Sequence, residues 1–187
     1  HDLVDPFFAT VPSQIIKKLN EKYPNFSFFS KEAMPFLKEI LKGDINYKEI
    51  RIYSPYTGMI DEGSDFEGLC KLMWEALKQD GKIIILTDLK PDCKGFAYKY
   101  KGTDSKDFYE LLGGKSLDEI NKEKREQIQK NVEMVETVNM VSALKKAGFT
   151  ADYTITEDMD LISRSETALK RYQRGKPIFL ITALKTI

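Results

Sequence analysis

The chain has 187 residues, and its 29 Lys and Arg residues balance its 29 Asp and Glu residues, so the formal net charge is zero. This balance argues against nucleic acid as a partner, because proteins that coat nucleic acid carry a large basic surplus. A composition of 42% hydrophobic and 31% charged residues is typical of a globular chain that is long enough to bury a core without disulfides or metals.

Strands and helices alternate in the first half of the chain. The predicted strands fall at residues 3–4, 26–29, 50–53 and 82–87. The predicted helices fall at residues 13–23, around Pro35, and at residues 66–77. A loop is predicted at residues 54–58, and a turn is predicted at Asp80-Gly81. The continuously apolar run at residues 83–86 is typical of a strand buried on both faces of a parallel sheet.

The second half is less regular. Glycines and prolines predict an irregular stretch over residues 88–114, and we interpret residues 88–116 as an insertion or lid loop within a single domain of residues 1–187. A helical region is predicted from Leu117 to Ala147. It starts at a capping box, and its polar middle, residues 121–127, allows a break. Two strands are predicted at residues 151–156 and 177–183. Alternation of this kind predicts an α/β fold, with a mainly parallel, doubly wound sheet.

The histidine and cysteine ligands that usually form zinc sites are scarce, and no segment could cross a membrane. The only histidine is His1, and Cys70 and Cys93 are the only cysteines, so we predict no metal site. The longest apolar run is far too short to span a bilayer. No signal peptide is recognisable, and a cytoplasmic location is expected.

Four segments follow one another in a specific order: Leu3-Val4-Asp5-Pro6, FFSKEAMPF at residues 28–36, ALKQDGKIII at residues 76–85 and LKKAGF at residues 144–149. Together they resemble the class I, Rossmann-like S-adenosylmethionine-dependent methyltransferases, from the second strand of that family to its seventh. The resemblance implies a Rossmann-like methyltransferase fold whose last strand is antiparallel. It also implies S-adenosylmethionine as the cofactor.

The resemblance further implies which residues bind the cofactor. Asp5 follows the first strand, where an ionised carboxylate suits both ribose hydroxyls, although Asp-Pro also begins an ordinary turn. Glu32, Ala33 and Met34 correspond to the segment that contacts the adenine. The alternative is a solvated Glu32 and a Met34 packed in the core.

Two loops are implied to lie beside the transferred methyl group. Ser54-Pro55-Tyr56 resembles the motif of amino-group methyltransferases in which Asn, Asp or Ser is followed by two prolines and an aromatic residue, with one proline missing. Ser54 is then a cofactor-binding residue and Tyr56 a catalytic one, because an aromatic face favours a cation. The alternative is an ordinary turn. Asp88 is the second catalytic candidate, as a carboxylate that orients the substrate or acts as a base.

Aromatic and basic residues alternate within the insertion. The aromatic residues are Tyr98, Tyr100, Phe108 and Tyr109, and the lysines are Lys94, Lys99, Lys101 and Lys106. Such a pattern suits nucleic-acid stacking, a substrate lid, or a loop that buries its aromatic rings. The methyltransferase resemblance favours the lid.

One part of the family pattern has no counterpart. The glycine-rich loop of the family precedes the position of Asp5, and the chain begins with His1 rather than Met. We therefore expect a preceding segment or a partner chain to complete the fold at its N-terminus.

Three functions are compatible with these residues. Methyl transfer to a small molecule or another nucleophile is the leading hypothesis. The first alternative is a non-catalytic methyltransferase-like subunit that needs a partner chain. The second is a different nucleotide-binding enzyme, because an acid after a second strand also suits the ribose of a nicotinamide cofactor.

Overall fold

The computed structural model describes residues 1–4, 11, 13–29, 31–43, 46–55, 57–101 and 122–186. The chain divides into two compact units. The first unit comprises His1–Glu39 and Lys99–Glu133, and the second unit comprises Ile40–Tyr98 and Met134–Ile187.

The elements alternate along most of the described chain. The strands are β1 (Asp2–Val4), β2 (Ser27–Phe29), β3 (Tyr47–Tyr53), β4 (Leu77–Thr87), β5 (Gly95–Tyr100), β6 (Val132–Thr137), β7 (Thr150–Ile155) and β8 (Phe179–Leu184). The helices are α1 (Ser13–Lys22), α2 (Ala33–Ile40), α3 (Thr57–Ile60), α4 (Phe66–Ala76), α5 (Lys122–Lys130), α6 (Met140–Lys146), α7 (Met159–Ile162) and α8 (Glu166–Gln173). A single 3₁₀ turn, Leu41–Gly43, follows α2.

The first unit contains a parallel strand pair. Leu3 of β1 pairs with Phe28 of β2. The ring centroids of Phe29 and Phe36 lie 4.9 Å apart, so β2 packs against α2. The predicted strands at residues 3–4 and 26–29 and the predicted helix around Pro35 are confirmed.

The second unit contains a four-stranded sheet in the order β3-β4-β8-β7. β3 and β4 are parallel, whereas β8 is antiparallel to both β4 and β7. It follows that β3, β4 and β7 run in one direction and β8 runs in the other. The expected mainly parallel sheet with an antiparallel last strand is therefore confirmed.

Helices cover both faces of this sheet. Leu86 of β4 pairs with Tyr53 on one side and with Leu180 on the other, so the three side chains share a face. That face packs against residues of α7 and α8 and of the segment before β8: Ile162, Ala168, Leu169, Tyr172 and Ile178. The opposite face buries Ile83, Ile85, Ile181 and Ala183. It is covered by α4 and α6, which contact each other and contact β4 and β7, respectively.

The segment after β4 differs from the prediction. The stretch expected to be irregular contains β5, and the helix expected from Leu117 to Ala147 is interrupted by β6, with which β5 pairs. Three of the six residues of β6, Val-Glu-Met-Val-Glu-Thr, have β-branched side chains, which favour a strand. The helix was therefore wrong over residues 132–137. The predicted capping box lies outside the described residues.

One strand boundary was wrong, and two helices were not predicted. β4 begins at Leu77 rather than at residue 82, because Leu77 pairs with Tyr47 of β3. The backbone N–H of Asp80 also donates to Lys185 O at 3.2 Å. In addition, α7 and α8 lie between β7 and β8, where no helix was predicted.

Candidate functional site

The second unit brings two of the predicted site residues to one edge of its sheet. β3 and β4 are parallel and pair Tyr53 with Leu86, so Ser54 and Asp88 follow the carboxyl ends of adjacent strands. The backbone N–H of Ser54 donates to Leu86 O at 2.8 Å and extends this pairing by one residue. The carboxyl edge of a sheet of this class is where ligands bind.

Ser54 has an unusual backbone and a specific side-chain partner. Its φ angle of 51° lies in the left-handed region, which residues other than glycine seldom adopt. Its Oγ lies 2.7 Å from the Oγ of Ser165, which precedes α8. Ser165 Oγ also accepts a hydrogen bond from Ala168 N at 3.2 Å, so Ser165 is the N-cap of α8. The loop after β3 is therefore tied to the start of α8.

Asp88 is tied to the same helix. Its Oδ2 lies 3.2 Å from Nε of Arg171, and the exposed fractions of the two side chains are 26% and 45%. The carboxylate is therefore partly accessible while its charge is balanced by the guanidinium. A carboxylate held in this way can accept a hydrogen bond from a substrate or orient a cationic group.

Sequence reasoning missed Ser165 and Arg171, because it missed α8. The signals were nevertheless present. Serine is a preferred N-cap, Lys and Arg near the C-terminus favour the helix dipole, and Gly175 follows the last turn in the left-handed conformation. The apolar side chains of Ala168, Leu169 and Tyr172 recur with helical spacing.

The first unit groups three other predicted residues at the start of α2. The backbone carbonyl of Glu32 accepts a hydrogen bond from Phe36 N at 3.1 Å, so Glu32 immediately precedes the helix. Its side chain is exposed, and those of Ala33 and Met34 are partly exposed in the first turn. An accessible carboxylate beside a small residue and a thioether fits the edge and face of a purine base. The other two candidates, Asp5 and Tyr56, lie outside the described residues.

A charged cluster follows the candidate edge. The hydroxyl of Tyr153 on β7 donates to Oδ2 of Asp92 at 2.8 Å. This hydrogen bond lowers the pKa of Asp92 and raises the pKa of Tyr153, and the negative charge of Asp92 raises the pKa of Lys90. Asn139 Nδ2 also donates to Asp92 O at 2.7 Å. The cluster anchors the chain that leads away from Asp88.

Two aromatic residues of β5, Phe96 and Tyr98, are exposed. Tyr98 is 70% exposed, and Met134 of β6 is also exposed. The interpretation of this segment as a loop that buries its aromatic rings is therefore wrong for Tyr98. Lys94 forms ion pairs with Glu62 and Glu136, and Lys101 forms one with Glu133. These acidic partners offset the basic charge that nucleic-acid binding requires. Phe108 and Tyr109 lie outside the described residues.

The described residues include neither a cluster of metal ligands nor a membrane-spanning helix. Within these ranges, no three His, Cys, Asp or Glu side chains are grouped so that they could hold a metal ion. The described helices also include none with the length and apolar character needed to cross a bilayer.

Sequence comparison finds no relative. No family model matches the chain, and no curated protein matches its sequence.

Solved structures do resemble the chain. A protein from Listeria monocytogenes, provisionally assigned as an S-adenosylmethionine-dependent methyltransferase, aligns with 100% of the chain and 80% of its own length, at 12% identity and a TM-score of 0.50. A methyltransferase of the same class from Archaeoglobus fulgidus aligns with 98% of the chain and 75% of its own length, at 15% identity and a TM-score of 0.45.

A third structure, a protein from Bordetella parapertussis provisionally described as exported, aligns with the whole chain at 14% identity and a TM-score of 0.45. The chain spans only 53% of that protein's length. At these identities, structural similarity shows the fold alone. Together with the strand order, the Listeria structure identifies the fold of this chain as the Rossmann-like methyltransferase fold.

Proposed function

We propose that the chain functions in S-adenosylmethionine-dependent methyl transfer to a small molecule or another nucleophile. The observation that carries this proposal is the sheet of the second unit, in which antiparallel β8 lies between β4 and β7. Ser54 and Asp88 lie at the carboxyl edge of that sheet, where the fold binds ligands. A cytoplasmic location and binding of a partner chain are also part of the proposal.

Methyl transfer from a sulfonium needs little acid or base catalysis by the protein. S-adenosylmethionine supplies a methyl group that is already activated by the attached sulfonium. The side chains need to hold the acceptor in line, exclude water and receive a proton where the acceptor loses one. Positioning of this kind contributes about 7–11 kcal/mol to lowering a barrier. The lack of histidine beyond His1 is therefore compatible with the proposed reaction.

By the methyltransferase resemblance, Asp5, Glu32, Ala33 and Met34 are assigned to the nucleoside part of the cofactor. Asp5 accepts hydrogen bonds from the ribose hydroxyls, because a carboxylate has two acceptor oxygens for a vicinal diol. Glu32 accepts from the adenine amino group. Ala33 leaves room for the base, and Met34 packs against its face through a polarisable sulfur.

By the same resemblance, Ser54, Tyr56 and Asp88 are assigned to the methyl group and its acceptor. Ser54 contacts the cofactor near the sulfonium, and Tyr56 lines the acceptor pocket. Asp88, balanced by Arg171, orients the acceptor or takes up its proton. These roles follow the family resemblance together with the placement of Ser54 and Asp88 at one edge.

Thermal unfolding in the presence of ligands tests the proposal. S-adenosylmethionine or S-adenosylhomocysteine at 100 times its dissociation constant should add about 2.7 kcal/mol of stability, whereas NAD should add none. The stabilisation should be lost in Asp5→Ala and kept in Asp2→Ala, which removes a carboxylate three residues earlier. Stabilisation by NAD alone would instead support a nicotinamide-dependent enzyme.

A non-catalytic subunit of the same fold is the second candidate. The observation that favours it is that the Ser54 hydroxyl and the Asp88 carboxylate both have protein partners. Such a subunit would use its surface to bind another chain rather than to turn over a cofactor. It predicts no stabilisation by any of the three ligands, with or without a partner chain.

A further inference from the structure

The loop after β3 holds a backbone conformation that needs support. Ser54 has a positive φ angle, and residues other than glycine persist there only when the surrounding structure holds them. Two hydrogen bonds do so. The Ser54 N–H donates to Leu86 O at 2.8 Å, and the Ser54 Oγ lies 2.7 Å from the Ser165 Oγ.

Ser165 is well suited to supply the second bond. It is only 7% exposed, so water competes weakly for its hydroxyl. A hydroxyl has one donor hydrogen and two acceptor lone pairs. Ser165 can therefore accept from Ala168 N and bond with Ser54 at the same time. The same atom caps α8 and holds the loop after β3.

The helix that carries Ser165 is itself fixed along the edge. Arg171, in its last turn, pairs with Asp88 after β4. Between these two contacts, Ala168 is buried in the cluster that contains Leu86, and Tyr53 packs against the same cluster. α8 is thus joined to the ends of β3 and β4 by a hydrogen bond, an ion pair and apolar packing.

We infer that Ser165 is a positioning residue for methyl transfer, which holds Ser54 and the loop after β3 beside the methyl group. The inference rests on the proposed function, because it concerns the acceptor side of that site. Ser165 acts through Ser54 and does not itself touch the cofactor. The Ser165 hydroxyl therefore both caps α8 and holds Ser54. A residue that caps the helix without bonding to Ser54 would do only the first.

The test uses S-adenosylmethionine carrying a ¹³C-labelled methyl group, whose NMR shift reports the surroundings of the methyl when bound. Ser54→Ala and Ser165→Ala should move this shift in the same direction and by a comparable amount. Ser165→Thr keeps the hydroxyl and should restore the wild-type shift. Asp158→Ala removes the N-cap of neighbouring α7 and should lower the melting temperature without moving the methyl shift.

A second variant is needed in case Ser165→Ala does not fold. Ser165→Gly lacks the hydroxyl, but glycine remains an acceptable N-cap, so the helix should persist. Its methyl shift should match that of Ser165→Ala. A wild-type shift in Ser165→Gly, with a moved shift in Ser54→Ala, would overturn this inference alone. Absence of S-adenosylmethionine binding to the wild-type chain would overturn the proposed function and the inference together.

Discussion

The ammonium group of Lys185 lies 5.1 Å from the centre of the Trp74 ring and donates a hydrogen bond to the Trp74 carbonyl at 2.6 Å. It also donates to Leu77 O at 2.7 Å. Trp74 belongs to the last turns of α4, so a cation lies at the negative end of the helix dipole. The chain that leaves β8 is thereby fastened to the junction of α4 and β4.

Replacing Lys185 should therefore cost stability. Lys185→Met keeps most of the aliphatic stem but removes the hydrogen bonds and the cation–π contact. We expect a loss of about 2 kcal/mol in the free energy of unfolding, measured by urea denaturation. Lys176→Met is the matched control, because this exposed lysine lies in the loop before β8, and it should change stability by less than about 0.5 kcal/mol. Equal losses in both variants would contradict the prediction.

Gly148 ends α6 in a conformation that suits glycine. Its φ angle is +107°, and an added Cβ would meet the Trp74 ring at 3.3 Å. Gly148→Ala should therefore destabilise the chain by about 1–3 kcal/mol, through both backbone strain and crowding. Gly175→Ala separates the two effects. Gly175 has a φ angle of +73°, and no described atom lies within 4 Å of the added Cβ. Thermal unfolding should show the smaller loss in Gly175→Ala.

The two thiols should differ in reactivity. Cys70 is fully buried on α4, and burial raises its pKa to about 12, whereas Cys93 is partly exposed. At pH 8, only about one ten-thousandth of a thiol with that pKa is ionised, and the thiolate is the reactive form. An aromatic disulfide reagent should therefore titrate one thiol in the native chain and two after unfolding. The folded Cys93→Ser variant should not react with the reagent, and a fast reaction of that variant would refute the prediction.

The hydrogen bond between Asp92 and Tyr153 should be visible in titrations. It lowers the pKa of Asp92, so its contribution to stability is present above the ordinary pKa of the acid and is lost as the pH falls through the lowered value. It raises the pKa of Tyr153, so this contribution is present below the ordinary pKa of tyrosine and is lost as the pH rises through the raised value.

NMR titration of ¹³C-labelled tyrosine measures this coupling directly. In Asp92→Asn, the pKa of Tyr153 should fall back towards its ordinary value, because the carboxylate that accepts the hydrogen bond from its hydroxyl is gone. Asp160→Asn removes an exposed carboxylate from α7 and should leave the pKa of Tyr153 unchanged. If the pKa of Tyr153 is unchanged in Asp92→Asn, the hydrogen bond is absent in solution.

Predictions from the sequence succeeded where the pattern was local and strong. Pro35 lies in the first turn of α2, and the apolar run at residues 83–86 lies in β4, a central strand. They failed for β6, where charged residues on both sides favoured helix and β5 supplied the pairing that stabilises a strand. They also failed for α8. Its capping residues are recognisable in the sequence, but the helix is too short for its apolar residues to form a clear helical repeat.

For the candidate site, too, the sequence predicted what depends on local pattern and did not predict contacts between distant segments. The sequence pointed to Ser54 and Asp88 because each follows a predicted strand, and the parallel pairing of β3 and β4 places both at one edge. It did not point to Ser165 or Arg171. Their significance lies in their contacts with Ser54 and Asp88, and those contacts connect segments that are distant in the chain.

By itself, the sequence determined the alternation of strands and helices, because periodicity and capping act between residues a few positions apart. It also determined the carboxylates and hydroxyls available for a nucleotide-like ligand. Only the tertiary structure decided that β8 enters the sheet between β4 and β7, and that Ser54 meets Ser165 across 111 positions of chain. The reason is physical: such contacts arise when the apolar faces of distant elements are buried together, and no local pattern specifies which elements will meet.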